Sequence, residues 1–322
     1  MGDITVLVLA TPTEPQLAML EQLPAETSIA VGERAEAFAR TAPEADVIFN
    51  WSGSGELLRE VFLQCPRVRW VHTRSAGLDG VLFPELAESA VPLTNGTGVF
   101  SESLGEFALA GILFFAKDLR RMIRNQEAGR WEPFDVAEIA GQTVGIIGYG
   151  DIGHAVAARA RAIGMRVVAV KRRVPPAGGD AYADQIYTPE RALEMIALSD
   201  YIVAAAPLTV ETRGLIGERE FAAMKATAVV INLGRGPVID ERAMVRALSE
   251  RRIRGAALDV FETEPLPEGH PLYGLDNVLL SPHTADHTAD WLDRAMQFFL
   301  DNFARFHQGQ PLQNLVDKKL GY

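Results

Sequence analysis

"VGIIGYGDIGHAVAARARAIG", residues 144–164, decides the fold of this chain. It opens as a short apolar run, turns at glycines spaced GxGxxG (Gly148, Gly150, Gly153) and continues into an alanine-rich stretch of helix formers. Alone, that spacing is a weak signal. Between a strand and a helix it specifies a turn that receives a diphosphate. Gly148 permits the tight turn, Gly150 lets the backbone approach the diphosphate, and Gly153 lets helix and strand pack closely. Free N–H groups at the helix start then face the negative charge. Tyr149, Asp151 and Ile152 share this turn and are assigned with the glycines to a dinucleotide.

Working outward, the same alternation repeats. "MRVVAV" (165–170), "DYIVAAAP" (200–207), "AVVINLG" (228–234), "GAALDV" (255–260) and "NVLLSPH" (277–283) read as strands, with helical stretches between them. This is the pattern of a complete doubly wound dinucleotide domain of Rossmann type. Upstream, "ITVLVLA" (4–10), "ADVIFN" (45–50) and "VRWVHTR" (68–74) are short apolar runs separated by helix-compatible segments near 13–23, 33–41 and 55–64. Strand and helix in alternation imply a parallel sheet covered on both faces. Residues 101–131 read as one long helix, capped by Ser101 and basic at its end. The tail, from about 287, starts as an amphipathic helix that returns to the first unit. The expected class is therefore α/β with two parallel-sheet domains: 101–286 for the dinucleotide, and a discontinuous 1–100 plus 287–322 for substrate.

Composition sets the limits. The 322 residues are 48% hydrophobic, enough for two cores without staples. A formal charge of −11 opposes nonspecific nucleic-acid binding, which needs a net basic face. No apolar run suggests a membrane span, and "MGDITVLVLATPTEP" lacks the pattern of a secretory signal, so a cytoplasmic protein is expected. Cys65 is the only cysteine, which excludes an internal disulfide and a cysteine-rich metal site; it reads as a core thiol.

In "VVAVKRRVPP" (167–176), Lys171, Arg172 and Arg173 stand where an acidic residue usually accepts hydrogen bonds from the ribose of NAD. Guanidinium groups match a phosphate in charge and geometry. The three cations therefore predict a preference for NADP(H), with NAD(H) as the alternative if the loop merely faces solvent.

Three further residues follow three different strands: Arg235 in "INLGRGPVID" (231–240), Glu264 in "DVFETEPLP" (259–267) and His283 in "LLSPHTA" (279–285). In a doubly wound sheet the carboxyl ends of the strands line one crevice, so the three can converge. Reduction of a 2-oxo acid needs an anchor for the carboxylate, a polariser of the carbonyl and an acid for the growing alkoxide. Arg235 suits the first two tasks and His283 the third. Glu264, by accepting a hydrogen bond from the imidazole, would fix its tautomer and favour the protonated ring.

With "GYGDIG", "NLGRGPVID", "DVFETEPLP", "SPHTA", "RSAGLDG" (74–80) and "NGTGVFSESLGEFALA" (95–110) in order, the chain resembles the D-isomer-specific 2-hydroxyacid dehydrogenase family over nearly its full length. The resemblance implies two domains, the substrate domain flavodoxin-like, with a cleft between them, and a homodimer. It implies Arg235, Glu264 and His283 as the catalytic set, with the backbone N–H groups of Ala76 and Gly77 on the substrate carboxylate. It also assigns Pro207, Thr212, Leu233, Gly234 and Asp259, near strand ends, to the cofactor.

The sequence departs from the family in two places. Ala206 stands in "AAAPLT" (204–209) where many members carry His, and "HTADHTADW" (283–291) replaces the common small-residue continuation. Glu264 argues against the formate-oxidising branch, and the cations favour the glyoxylate and hydroxypyruvate reductase branches. Trp51 and Phe100, in loops after strands of the first unit, are expected to line an apolar pocket for the side chain of the 2-oxo acid, with helix packing the reading for Trp291. Two other readings stay open: an NAD-linked dehydrogenase, and a dinucleotide-sensing interaction protein without turnover.

Overall fold

A computed structural model describes residues 3–173 and 180–321. Val174 to Pro176 of the cationic stretch lie outside the described residues. The chain forms two compact units, Met1–Phe100 with Thr288–Tyr322, and Ser101–His287.

The first unit is built on a five-stranded sheet: β1 (Thr5–Leu9), β2 (Ser28–Gly32), β3 (Val47–Asn50), β4 (Trp70–Thr73) and β5 (Leu93–Thr94). Its order is β2-β1-β3-β4-β5 and every pairing is parallel, the flavodoxin-like arrangement. The central strands are buried along their whole length, which is why they read as continuous apolar runs. β2 is half-exposed at the edge and carries no such run. The Trp291–His307 helix lays Met296, Phe299 and Phe303 on this sheet, Phe299 stacking on Phe49 with centroids 3.9 Å apart. Beyond it, Val316 N donates to Leu93 O at 2.9 Å, fastening the tail to β5.

The second unit contains β6 (Thr143–Ile147), β7 (Arg166–Val170), β8 (Gln185–Tyr187), β9 (Tyr201–Ala204), β10 (Val229–Asn232), β11 (Gly255–Leu258) and β12 (Val278–Leu280). The order β12-β11-β10-β9-β6-β7-β8, all parallel, reverses direction at β6, the switch point of a doubly wound dinucleotide fold.

The single helix expected over 101–131 is two helices, Ser101–Ala116 and Leu119–Glu127, separated by Asp118 in the left-handed region (φ 49°). The carbonyls that would continue the first helix are taken elsewhere. Phe115 O accepts from the Arg254 guanidinium and Ala116 O from Ala137 N at 2.9 Å. Satisfied in this way, the helix end needs no further turn.

Candidate active site

The glycine turn leaves β6 and enters the Asp151–Ala162 helix. Gly148 has φ 95°, and a Cβ there would lie 2.4 Å from the backbone of Ala206, so only glycine fits. A Cβ on Gly150 would meet nothing within 4 Å: the space over the helix N-terminus is open where a diphosphate needs it. Tyr149 is buried within the turn and donates its hydroxyl to Asp180 Oδ1 at 2.5 Å. Burial first, then the Asp180 carboxylate, raises the phenol's pKa. The residues present thus fit a dinucleotide: an open cradle of amides and a fixed aromatic floor.

The cations follow β7. Lys171 Nζ lies 5.8 Å from the Tyr149 ring centroid, beside the glycine turn. Arg172 and Arg173 are exposed, and Arg172 Nη2 is 3.9 Å from Glu211 Oε2. Glu211 belongs to a turn after β9 that Thr212 folds: its hydroxyl donates to Pro207 O at 2.6 Å and accepts from Thr209 N at 2.7 Å. Leu233 and Gly234 are buried after β10, Leu233 N donating to Ala204 O at 2.9 Å.

Arg235 sits on a turn clamped from below. Asn232, buried at the end of β10, accepts from Gly234 N at 3.2 Å and donates to Arg235 O at 3.2 Å. The Arg235 guanidinium bonds its own turn at Gly234 O, 2.9 Å. Gly236 presses on the next loop so closely that a Cβ would fall 1.9 Å from the Phe261 carbonyl. Phe261 N in turn donates to Glu264 Oε1 at 2.9 Å, and Glu264 Oε2 lies 2.7 Å from His283 Nδ1. A continuous chain of contacts therefore joins Arg235, Glu264 and His283. With Nδ1 engaged by the Glu264 carboxylate, Nε2 is the ring nitrogen outside that contact.

His283 has φ 56°, a left-handed conformation that costs roughly 1–3 kcal/mol outside glycine. Its neighbours hold it there. Asp259 Oδ1, buried behind β11, accepts from Ser281 Oγ at 2.6 Å, Thr284 N at 2.9 Å and Ala285 N at 3.0 Å, bracketing the histidine. Asp259 thus shapes the histidine loop, a task the sequence did not reveal; so does Asn232 for the arginine turn. Further along the same loop, burial raises the carboxyl of Asp286, with Asp259 adding to the rise while His287 and His283 oppose it.

In the first unit the loops after β3, β4 and β5 are tied by buried polar groups. Asn95 Nδ2 donates to Ala76 O at 2.7 Å, and Asn314 Nδ2 donates to Asn95 O at 3.3 Å. Because a peptide is planar and trans, holding the Ala76 carbonyl also fixes the direction of the Gly77 N–H. Trp51 and Phe100 both have buried rings. Trp51 is fully buried beside Phe49, and Phe100 is 7% exposed with its ring edge-on to Trp291. Both rings are packed into the first unit.

An amide cradle at a doubly wound sheet and a carboxylate-backed imidazole at its strand ends define a nicotinamide-dependent oxidoreductase. Comparison with known proteins makes the class specific. The D-isomer specific 2-hydroxyacid dehydrogenase NAD binding domain matches residues 109–285, and the chain belongs to that family. It is 36% identical to a glyoxylate reductase of Aeropyrum pernix over 88% of this chain and 87% of the relative. Among solved structures, a D-isomer specific 2-hydroxyacid dehydrogenase of Xanthobacter autotrophicus in complex with NADPH and MES is 28% identical, with TM-score 0.86 and full coverage of both chains. An NADPH-dependent glyoxylate/hydroxypyruvate reductase of Sinorhizobium meliloti, in complex with NADP and sulfate, is 25% identical, again with TM-score 0.86 and full coverage of both. Among the described residues no helix is long and apolar enough to cross a membrane, and no cluster of His, Cys, Asp and Glu could hold a metal.

Proposed function

We propose that this protein reduces a small 2-oxo acid to the D-2-hydroxy acid, with NADPH preferred over NADH. The observation that carries the reading is the 2.7 Å pair between Glu264 and His283, linked through the Phe261 loop to the Arg235 turn. When bound between the glycine turn and the strand ends, the nicotinamide supplies the hydride. His283 delivers the proton from Nε2 to the forming alkoxide. Glu264 stabilises the protonated ring and fixes its orientation, and Arg235 binds the substrate carboxylate and polarises the carbonyl. Ala76 and Gly77 present backbone N–H groups to a carboxylate. Gly148 to Gly153, Pro207, Thr212, Leu233, Gly234 and Asp259 form the dinucleotide side, and Lys171, Arg172 and Arg173 read the 2′-phosphate.

The protein acts as a homodimer in the cytoplasm. Leu119, Met122, Ile123, Trp131 and Val136 supply an exposed apolar surface in one stretch of chain, with Trp131 97% exposed. Cys65 is a buried thiol, as a reducing compartment allows.

The NAD-linked reading has one observation in its favour, because Arg172 already lies near the Glu211 carboxylate. Initial rates of glyoxylate, hydroxypyruvate and phenylpyruvate reduction, each with NADPH and NADH, decide between the two. NADPH-preferring turnover is expected. NADH preference would reassign the cations to solvent, and no turnover with any pair would favour a dinucleotide-sensing protein.

A further inference from the structure

Glu241 has no part in the chemistry above, yet it holds both ends of the loop that carries Glu264. It opens the Glu241–Ser249 helix just beyond the arginine turn, and Asp240 fixes that start as a cap, its Oδ1 accepting from Ala243 N at 3.0 Å. From there the Glu241 carboxylate reaches the loop after β11. Its Oε2 accepts from Glu262 N at 3.1 Å, and its Oε1 lies 3.2 Å from His270 Nε2. Both side chains are largely buried, at 13% exposure for Glu241 and 18% for His270.

The hydrogen bonds set the tautomer of His270. Its Nδ1 accepts from Leu272 N at 3.3 Å, capping the short Pro271–Gly274 helix, so the ring proton sits on Nε2 and is donated to Glu241. One carboxylate therefore accepts two N–H groups, from Glu262 and from His270, and closes the segment between them to a fixed span. Tyr273 adds a brace, its hydroxyl donating to Leu266 O at 3.2 Å. Glu264 lies inside this segment, with Oε1 accepting from Phe261 N at 2.9 Å and Oε2 2.7 Å from His283 Nδ1. Those contacts are only as well placed as the backbone that carries them. A carboxylate that served the helix start alone, through the dipole, would need neither partner on the loop.

Resting on the 2-oxo acid reduction proposed above, we infer that Glu241 is a positioning residue for the reaction and acts through Glu264: with His270 it locks the 262–270 loop so that the Glu264 carboxylate stays in register with His283. The task needs a carboxylate, because two N–H groups are accepted at once. Glutamine has a single acceptor oxygen and would turn its NH2 toward one of them.

The test measures kcat and KM for glyoxylate reduction with NADPH in the wild type, Glu241→Gln, His270→Asn, Glu264→Ala and the double variant Glu241→Gln with Glu264→Ala. Displacing a reacting group by about 1 Å from a distance costs up to about 10²-fold, so kcat of Glu241→Gln should fall by about tenfold or more while KM for NADPH stays unchanged. His270→Asn keeps a cap for Leu272 N and loses the arm to Glu241; its kcat should fall in the same direction by less. The decisive comparison is the cycle. With Glu264→Ala already present, Glu241→Gln should cost less than about twofold further, because a positioning residue has no effect once the group it positions is gone. Urea midpoints measured alongside show that each variant is folded at the assay temperature, and should Glu241→Gln fail to fold, the same cycle is run with His270→Asn. Equal losses of kcat with and without Glu264, or an unchanged kcat in Glu241→Gln, would overturn the inference while leaving 2-oxo acid reduction intact. Wild-type turnover by Glu264→Ala, or no reduction of any 2-oxo acid by the wild type, would instead overturn the reading beneath it, and the inference with it.

Discussion

The two sheets end differently. In the second unit, strand ends carry the side chains proposed for the chemistry: Arg235 after β10, Glu264 after β11 and His283 after β12, with buried Asn232 and Asp259 holding the turns that carry two of them. In the first unit, the loops after β3 and β4 are held by buried Asn50, which donates to Ser54 O, and buried Asn95, which donates to Ala76 O. Both units use the same device, a buried polar side chain just behind a strand end that replaces lost ladder hydrogen bonds. The difference lies in what the device displays. The second unit's turns carry the side chains proposed for proton transfer and carboxylate binding, whereas the first unit's loops are proposed to contribute backbone N–H groups.

This contrast can be broken or sharpened by substitution. The largest effect belongs to His283→Ala, which should lower kcat by at least about 10²-fold while cofactor binding, followed by fluorescence titration, changes little. Next comes Asp259→Ala. It leaves the Ser281 hydroxyl and the Thr284 and Ala285 amides without their acceptor, at roughly 1–3 kcal/mol for each group that stays buried, and frees His283 from φ 56°. We expect kcat to fall by about tenfold or more and the urea midpoint to drop. A variant with full activity would show that the loop needs no such anchor.

A smaller effect, confined to cofactor choice, is expected from the double change Arg172→Ala with Arg173→Ala. KM for NADPH should rise about tenfold relative to KM for NADH, as for loss of a charge-assisted phosphate contact. Equal rises would reduce the pair to general charge.

An effect on stability and not on turnover is expected in the first unit's core. His72 is fully buried on β4, bonded through Nδ1 to Thr94 Oγ1 at 2.8 Å, and burial pushes its pKa from 6.5 down to about 3. The unfolded chain therefore binds a proton that the folded chain refuses between these values. His72 should leave stability unaffected above pH 6.5 and lower it as pH falls toward 3, with a slope approaching about 1.4 kcal/mol per pH unit. Urea midpoints for the wild type and His72→Asn, measured from pH 7 to pH 4, should converge as the pH falls. Parallel curves would contradict the assignment.

Much of the architecture was legible because parallel strands covered on both faces must be apolar throughout. β1, β3, β4, β6, β7 and β9 to β12 all announce themselves in this way. Edge strands β2, β5 and β8 do not: β2 and β8 are partly exposed, and the three are only five, two and three residues long. The segments expected as helices near 13–23 and 33–41 contain 3₁₀ turns at Pro15–Gln22 and Ala35–Phe38. Their apolar positions alone did not distinguish the tighter turn. Arg235, Glu264 and His283 could be named from sequence because each follows an apolar strand within a recognisable turn. Asn232 and Asp259 as loop anchors could not. Their roles arise from contacts between segments far apart in the chain, which no local pattern encodes.

The proton-delivery role of His283 is tested most directly by measuring kcat for glyoxylate reduction together with NADPH binding in the wild type and His283→Ala. Turnover by His283→Ala should be lower by at least about 10²-fold, with NADPH binding little changed. Near-normal turnover by His283→Ala would contradict that role.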